Sequence, residues 1–229
     1  MIKKLLRTAF LDTVPVMTGY VFLGFGFGIL MQQNGFGVLW AGAMSLFIYA
    51  GSMQYVAVSL LTSGVSLLTA AMTAFVVNAR HLFYGISMVD TYKGMGRKKP
   101  YLIFGLTDET YSLVSQLQLP KDVSPSGYCF LVTLFDHIYW VSGTVLGSLT
   151  GTLLPINYEG VDFALTALFV TIFVEQWLST KNHISAVCGV LASVVCLLIF
   201  GSGNFLIPAM LMIAFVLTVL RRKEGITNE

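Results

Sequence analysis

Residues 13–79 read TVPVMTGYVFLGFGFGILMQQNGFGVLWAGAMSLFIYAGSMQYVAVSLLTSGVSLLTAAMTAFVVNA, 67 positions without one Asp, Glu, Lys, Arg or His, and Arg80 and His81 follow directly. One bilayer crossing takes roughly 20 apolar residues, so this run exceeds three times that length. A water-soluble domain needs charged residues on its surface, and this stretch has none to offer. It predicts a membrane-embedded chain that crosses more than once. The first charge is an arginine on the end of an apolar segment, where an ionisable group is costly and points to function.

The rest of the chain agrees. Hydrophobic residues make up 56% and charged residues 10%, with a mean hydropathy of +0.80. The net charge of +2 gives no footprint for nucleic acid. Cys129, Cys188 and Cys196 lie in or beside apolar segments without metal spacing and read as small hydrophobes in helix walls. No GxSxG, HExxH or phosphate-binding loop is present, so the expectation is a non-enzyme with no cofactor and no metal, not powered by ATP hydrolysis of its own. Residues 2–11 put Ile2, Leu5, Leu6, Ala9 and Phe10 on one helical face, which fits a short interfacial helix rather than a cleaved signal.

Backbone groups in lipid must bond internally, and the apolar segments are continuous rather than alternating, so the fold class is all-α. Seven crossings are expected, over residues 14–31, 38–61, 64–88, 127–153, 161–180, 184–200 and 203–221, in one domain of residues 1–229. Counting seven, Lys93, Arg97, Lys98, Lys99, Lys121, Lys181, Arg221, Arg222 and Lys223 share one side, and Lys3, Lys4 and Arg7 fall on the other. The positive-inside rule then favours a cytoplasmic C-terminus and an external N-terminus, against the pull of the N-terminal basic trio. A re-entrant hairpin, or a crossing by residues 101–119, would remove the conflict. That segment, fenced by Pro100 and Pro120, is too polar for a lipid-facing span and reads as a half-helix packed on the bundle or lining a cavity.

Tyr20, Gly24 and Gly28 are echoed 119 residues later by Tyr139, Gly143 and Gly147. Two readings stand. Residues 14–88 and 127–200 are repeats, inverted by an odd span count as in many secondary transporters, or the glycines are an ordinary small-residue packing face.

Five positions are candidates for binding a substrate. Gly51, Ser52 and Gln54 sit near the middle of an apolar segment, where a broken helix exposes backbone groups to a zwitterion. Asn78 and Arg80 lie on one turn, and arginine grips a carboxylate with two parallel bonds. Asp108 and Glu109 are the partners expected for Arg80, and with His81 and Glu175 they are the candidates for proton coupling. Asp136-His137 is taken as the lead-in to the fourth span.

These residues bring a resemblance with them. The chain resembles the AzlC-type family, the large subunit of branched-chain amino acid exporters, over nearly its whole length. The resemblance rests on Gly19-Tyr20, Gly24 and Gly28, then Ser45 and Tyr49-Ala50-Gly51-Ser52-Met53-Gln54. It continues through Asn78-Ala79-Arg80-His81, Tyr84-Gly85-Ile86-Ser87, Leu106-Thr107-Asp108-Glu109-Thr110-Tyr111 and Gly160-Val161-Asp162-Phe163-Ala164. It implies export of valine, leucine, isoleucine or methionine across the cytoplasmic membrane, and a small AzlD-like membrane subunit as partner. Ser52 departs slightly from the family's Ala-Gly-Ala-x-Gln form. A proton-coupled secondary transporter is the expectation. A non-transporting scaffold subunit and a channel-like pore are the alternatives.

Overall fold

The computed structural model describes residues 2–115, 117, 119, 120, 122–153, 170, 173, 174, 177, 178, 183–201, 205, 208, 209, 211–213 and 215–219. Among them there is no strand. The helices of the first unit, residues 1–165, are α1 (Ile2–Gln33), α2 (Val38–Phe47), α3 (Gly51–Thr62), α4 (Leu67–Asn78), α5 (Arg80–Ser87), α6 (Lys99–Phe104), α7 (Asp108–Val114) and α8 (Pro125–Leu153). α1 and α8 are long and apolar enough to cross a membrane.

These two helices form the spine and run parallel. Leu5 meets Gly127 near their starts, Gly24 faces Trp140 and Thr144, and Gly28 faces Thr144 and Ser148. The contact is reciprocal. A Cβ on Gly24 would sit 2.7 Å from the Trp140 carbonyl oxygen, and one on Gly143 would sit 2.6 Å from that of Val21. Gly28 meets the Thr144 backbone as Gly147 meets that of Phe25. Here the glycine echo is a close helix crossing, with small residues letting backbones touch. Because the helices point the same way, the echo relates two parallel helices and fits the packing-face reading of the two that stood.

The segment 38–61 was expected to cross and does not. α2 descends antiparallel to α8, with Gly42 against Val145 and the Ser45 hydroxyl 2.8 Å from that of Thr144. The chain then reverses at Tyr49, which holds φ +46°. α3 climbs back, from Gly51 against the Trp140 ring to the Tyr55 hydroxyl donating to the Leu23 carbonyl at 2.7 Å, and on to Val58 in the cluster around Phe27 and Met31. Twenty-four apolar residues span a bilayer if straight; a left-handed residue at their midpoint folds them into a hairpin instead.

A second hairpin enters from the other end. α6 rises with Leu102 buried beside Cys129 and Val132, the Gly105 backbone touches Thr133, and α7 descends to Val114 in the same cluster. So the described part of 101–119 holds two short helices rather than one half-helix, and Pro100 opens α6 instead of fencing it off. α4 and α5 connect the two ends, running down to Met88, Tyr92 and Met95, which pack with Ala9, Val123 and Tyr128. Helix followed by hairpin is thus used twice with opposite sense, over 2–62 and 67–114.

The charges sort accordingly. The Lys4 ammonium bonds Asp122 at 2.6 Å, and Lys98 lies 5.4 Å over the Phe130 ring near the start of α8. Lys3, Lys4 and Arg7 therefore share one end with the 88–100 connection, not the opposite end as expected. The expected N-terminal interfacial helix is the first part of α1. At 32 residues, α1 is about 48 Å long, so its first turns overhang a hydrocarbon core of roughly 30 Å.

In the second unit, residues 166–229, α9 (Ile184–Phe200) follows His183, whose ring stacks on Trp177 with centroids 4.0 Å apart. The expected crossing at 184–200 coincides with α9. The expected crossings at 161–180 and 203–221 are described only in part, and the Gly160-to-Ala164 motif lies outside the described residues.

Candidate functional site

The tips of the two hairpins meet halfway along the spine, and Arg80 joins them. Its Nε donates to Asp108 Oδ1 at 2.9 Å and its Nη2 donates to Ser52 Oγ at 2.7 Å. Each partner is held by local structure. Ser52 opens α3, just past the reversal at Tyr49. Asp108 opens α7, where the Thr107 hydroxyl caps the helix by accepting the Thr110 N–H and the helix dipole favours a negative charge. Arg80 follows a tightened turn at the α4–α5 junction, with the Ala79 N–H reaching the Val76 carbonyl and the Leu82 N–H that of Ala79. The Arg80 and Asp108 side chains are 36% and 29% exposed, so the pair is reachable from outside. Neither bond uses Nη1 of the guanidinium.

Asn78 and His81 face a cavity of about 450 Å³ beside this pair, walled by Phe75, Leu82, Met88 and Ile103 among others. The Asn78 Oδ1 is buried without a partner among the described residues. His81 Nδ1 lies 3.2 Å from the Asn78 carbonyl oxygen.

Other candidates sit elsewhere. Gln54 is fully buried behind the site, its amide nitrogen donating to Ser45 Oγ at 3.2 Å and its oxygen accepting from the Trp140 indole at 3.0 Å. Both ends of the amide are thus engaged within the helix packing. Gly51 presses on the Trp140 ring. Glu175 lies outside the described residues.

Glu109 does not pair with Arg80. It turns inward, and its Oε2 accepts from the Tyr20 hydroxyl at 2.6 Å. Tyr20 also lies 2.6 Å from Thr107 Oγ1, Thr107 lies 3.1 Å from Thr110 Oγ1, and Thr110 lies 2.7 Å from Asp136 Oδ2. Asp136 is completely buried within α8, about three turns from Pro125, and does not lead into the helix as expected. Its Oδ1 has no partner among the described residues. Sequence reasoning passed over Asp136, Tyr20 and the two threonines. A carboxylate amid the apolar residues of 127–153 was the available signal for the first.

A family model described as AzlC protein matches residues 15–154, which contain every residue of this constellation. The chain belongs to the AzlC family. The Branched-chain amino acid transport protein AzlC of Bacillus subtilis is 47% identical over 216 residues, covering 94% of this chain and 85% of that one. A membrane protein of Haemophilus influenzae is 42% identical, covering 93% and 88%. The inner membrane protein YgaZ of Escherichia coli is 29% identical, covering 90% and 84%. No solved structure matches. AzlC membership and the relatives' names support a transport role.

Proposed function

We propose that this protein is a multi-pass transporter of the cytoplasmic membrane that exports branched-chain or similar aliphatic amino acids, coupled to protons, together with a small AzlD-like subunit. The observation that carries the reading is Arg80, half-buried between two hairpin tips and bonded to one group from each. A guanidinium there binds a substrate carboxylate, with Ser52 and Asn78 as polar neighbours and Asp108 as the anion that Arg80 releases or shares. The adjoining apolar cavity is roomy enough for an aliphatic side chain. Gln54 and Gly51 keep α2, α3 and α8 in register behind the site. Asp108, Glu109, His81 and Glu175 are the groups for proton coupling. By the positive-inside rule the end bearing Lys4 and Lys98 faces the cytoplasm. The basis for the amino acid is the B. subtilis relative's name; the basis for proton coupling is a set of ionisable groups inside apolar helices.

Valine counterflow in vesicles holding the chain and its partner tests the class, with saturable exchange expected. Flux that never saturates indicates a pore, and no flux indicates a scaffold. Arg80→Lys keeps the charge but loses the fork, and weakens apparent valine affinity by about tenfold, the worth of roughly one charge-assisted hydrogen bond. An unchanged affinity removes Arg80 from the substrate site.

A further inference from the structure

The Tyr20, Thr107 and Thr110 hydroxyls link Glu109 to Asp136 through four contacts of 2.6, 2.6, 3.1 and 2.7 Å. A hydroxyl has one proton to give and two lone pairs to accept with. Tyr20 therefore cannot donate to Glu109 and Thr107 at once, and the chain has two complete arrangements. In one, a protonated Glu109 donates to Tyr20, Tyr20 to Thr107, Thr107 to Thr110, and Thr110 to an ionised Asp136. In the other every bond is reversed, with Asp136 protonated and Glu109 ionised. Thr107 accepts the Thr110 N–H in both. Each arrangement satisfies all three hydroxyls, and each contains one carboxyl proton.

We infer that Glu109 and Asp136 share a single proton across this chain, and that Asp136 is a proton-carrying site of the transporter. The inference rests on the proton-coupled reading above. Transfer breaks one O–H bond at Glu109, Tyr20, Thr107 and Thr110 and forms one at Tyr20, Thr107, Thr110 and Asp136. The net result is one proton moved and no electrons. A buried and a half-buried carboxylate joined in this way avoid the cost of ionising both. Among the described residues the Asp136 Oδ1 has no partner, so no counter-ion there holds the inner end in one charge state.

Glu109 is the outer end. Asp108 precedes it and holds Arg80 from α5, and Tyr20, Tyr49 and Tyr84 are the other titratable groups around it. Around Asp136 these are Tyr49, Tyr101 from α6, and Tyr128 about two turns earlier on α8, with Glu109 beyond the hydroxyls. A substrate carboxylate arriving at Arg80 adds negative charge beside Glu109 and pulls the shared proton toward it, which ties binding to the proton's position.

The test uses vesicles containing the full chain and its partner subunit. Tyr20→Phe breaks the chain without removing the ring, and Asp136→Asn removes the inner acceptor. Each variant should lose valine accumulation driven by a pH gradient by about a hundredfold, the low end for losing a positioned proton donor. Valine counterflow, which moves no net proton, should persist and so reports a folded protein. Infrared difference spectra on adding valine at constant pH should show one carboxylic C=O band gained and another lost in the wild type, and neither in Tyr20→Phe. A wild type that counterflows valine without any response to the pH gradient overturns the coupling reading, and the relay with it. A wild type that responds, with both variants responding as strongly or with the paired bands absent, overturns the relay alone.

Discussion

Arg80 and Lys4 each hold an aspartate, and their surroundings make the two pairs different in kind. Arg80–Asp108 is partly screened from water and joins three chain segments through Ser52. Lys4–Asp122 is shorter, at 2.6 Å, but its side chains are 52% and 60% exposed. The Lys4 ammonium, chiefly through its hydrogen bond, holds the Asp122 carboxyl below its usual value. A depressed carboxyl pKa adds stability above the unfolded value, and that gain disappears as pH falls through the folded value. In water and salt the gain is largely screened. Asp122→Asn should therefore leave the thermal midpoint unmoved at neutral pH and at pH 3; a drop confined to neutral pH would show the pair to be shielded. The Arg80–Asp108 pairing was legible in the sequence because charges are so scarce that few partners exist. The role of Gln54 was not, since its partner Trp140 lies 86 residues away and only packing brings them together.

At the scale of elements, the α1–α8 crossing depends on missing side chains. Gly28 and Gly147 each press on the backbone of the opposite helix, and backbone cannot swing aside as a side chain can. Gly28→Ala or Gly147→Ala should destabilise the protein by about 1–3 kcal/mol through overpacking, read as a lower midpoint in detergent unfolding. Gly19 is the control: it is exposed, and nothing lies within 4 Å of an added Cβ. Gly19→Ala should be neutral or slightly stabilising, since alanine is the better helix former. Equal effects at all three positions would refute the close crossing. The glycine spacing itself announced a packing face, and the structure adds which helix it packs on. A break near Gly51 was legible from Gly, Ser and Gln at mid-segment and is present, but that 38–61 turns back there was not, for a physical reason. An apolar run has the same length and composition whether it passes through or turns back, and the turn rests on the backbone angle of Tyr49, a residue type that gives no warning of it.

For the whole molecule, that one hairpin changes the parity of everything after it. Counting 38–61 as a crossing puts the basic connection at 88–100 opposite Lys3, Lys4 and Arg7, and leaves the positive-inside rule in conflict with itself. With α2–α3 folded back, α1 goes up, α4 and α5 come down, and both basic groups meet at one end, where Lys4 bonds Asp122 and Lys98 covers Phe130. α6–α7 then returns to the same end, and α8 rises parallel to α1. The connections at 34–37 and 63–66 fall at the opposite end. Single cysteines placed in a background lacking Cys129, Cys188 and Cys196 test this directly. With a membrane-impermeant thiol reagent on intact cells, Asn34→Cys and Ser63→Cys should label, whereas Lys3→Cys and Lys98→Cys should label only after the membrane is opened. Labelling of Lys3→Cys and Lys98→Cys from opposite sides would restore 38–61 as a crossing and dissolve the meeting of hairpin tips on which the Arg80 site depends.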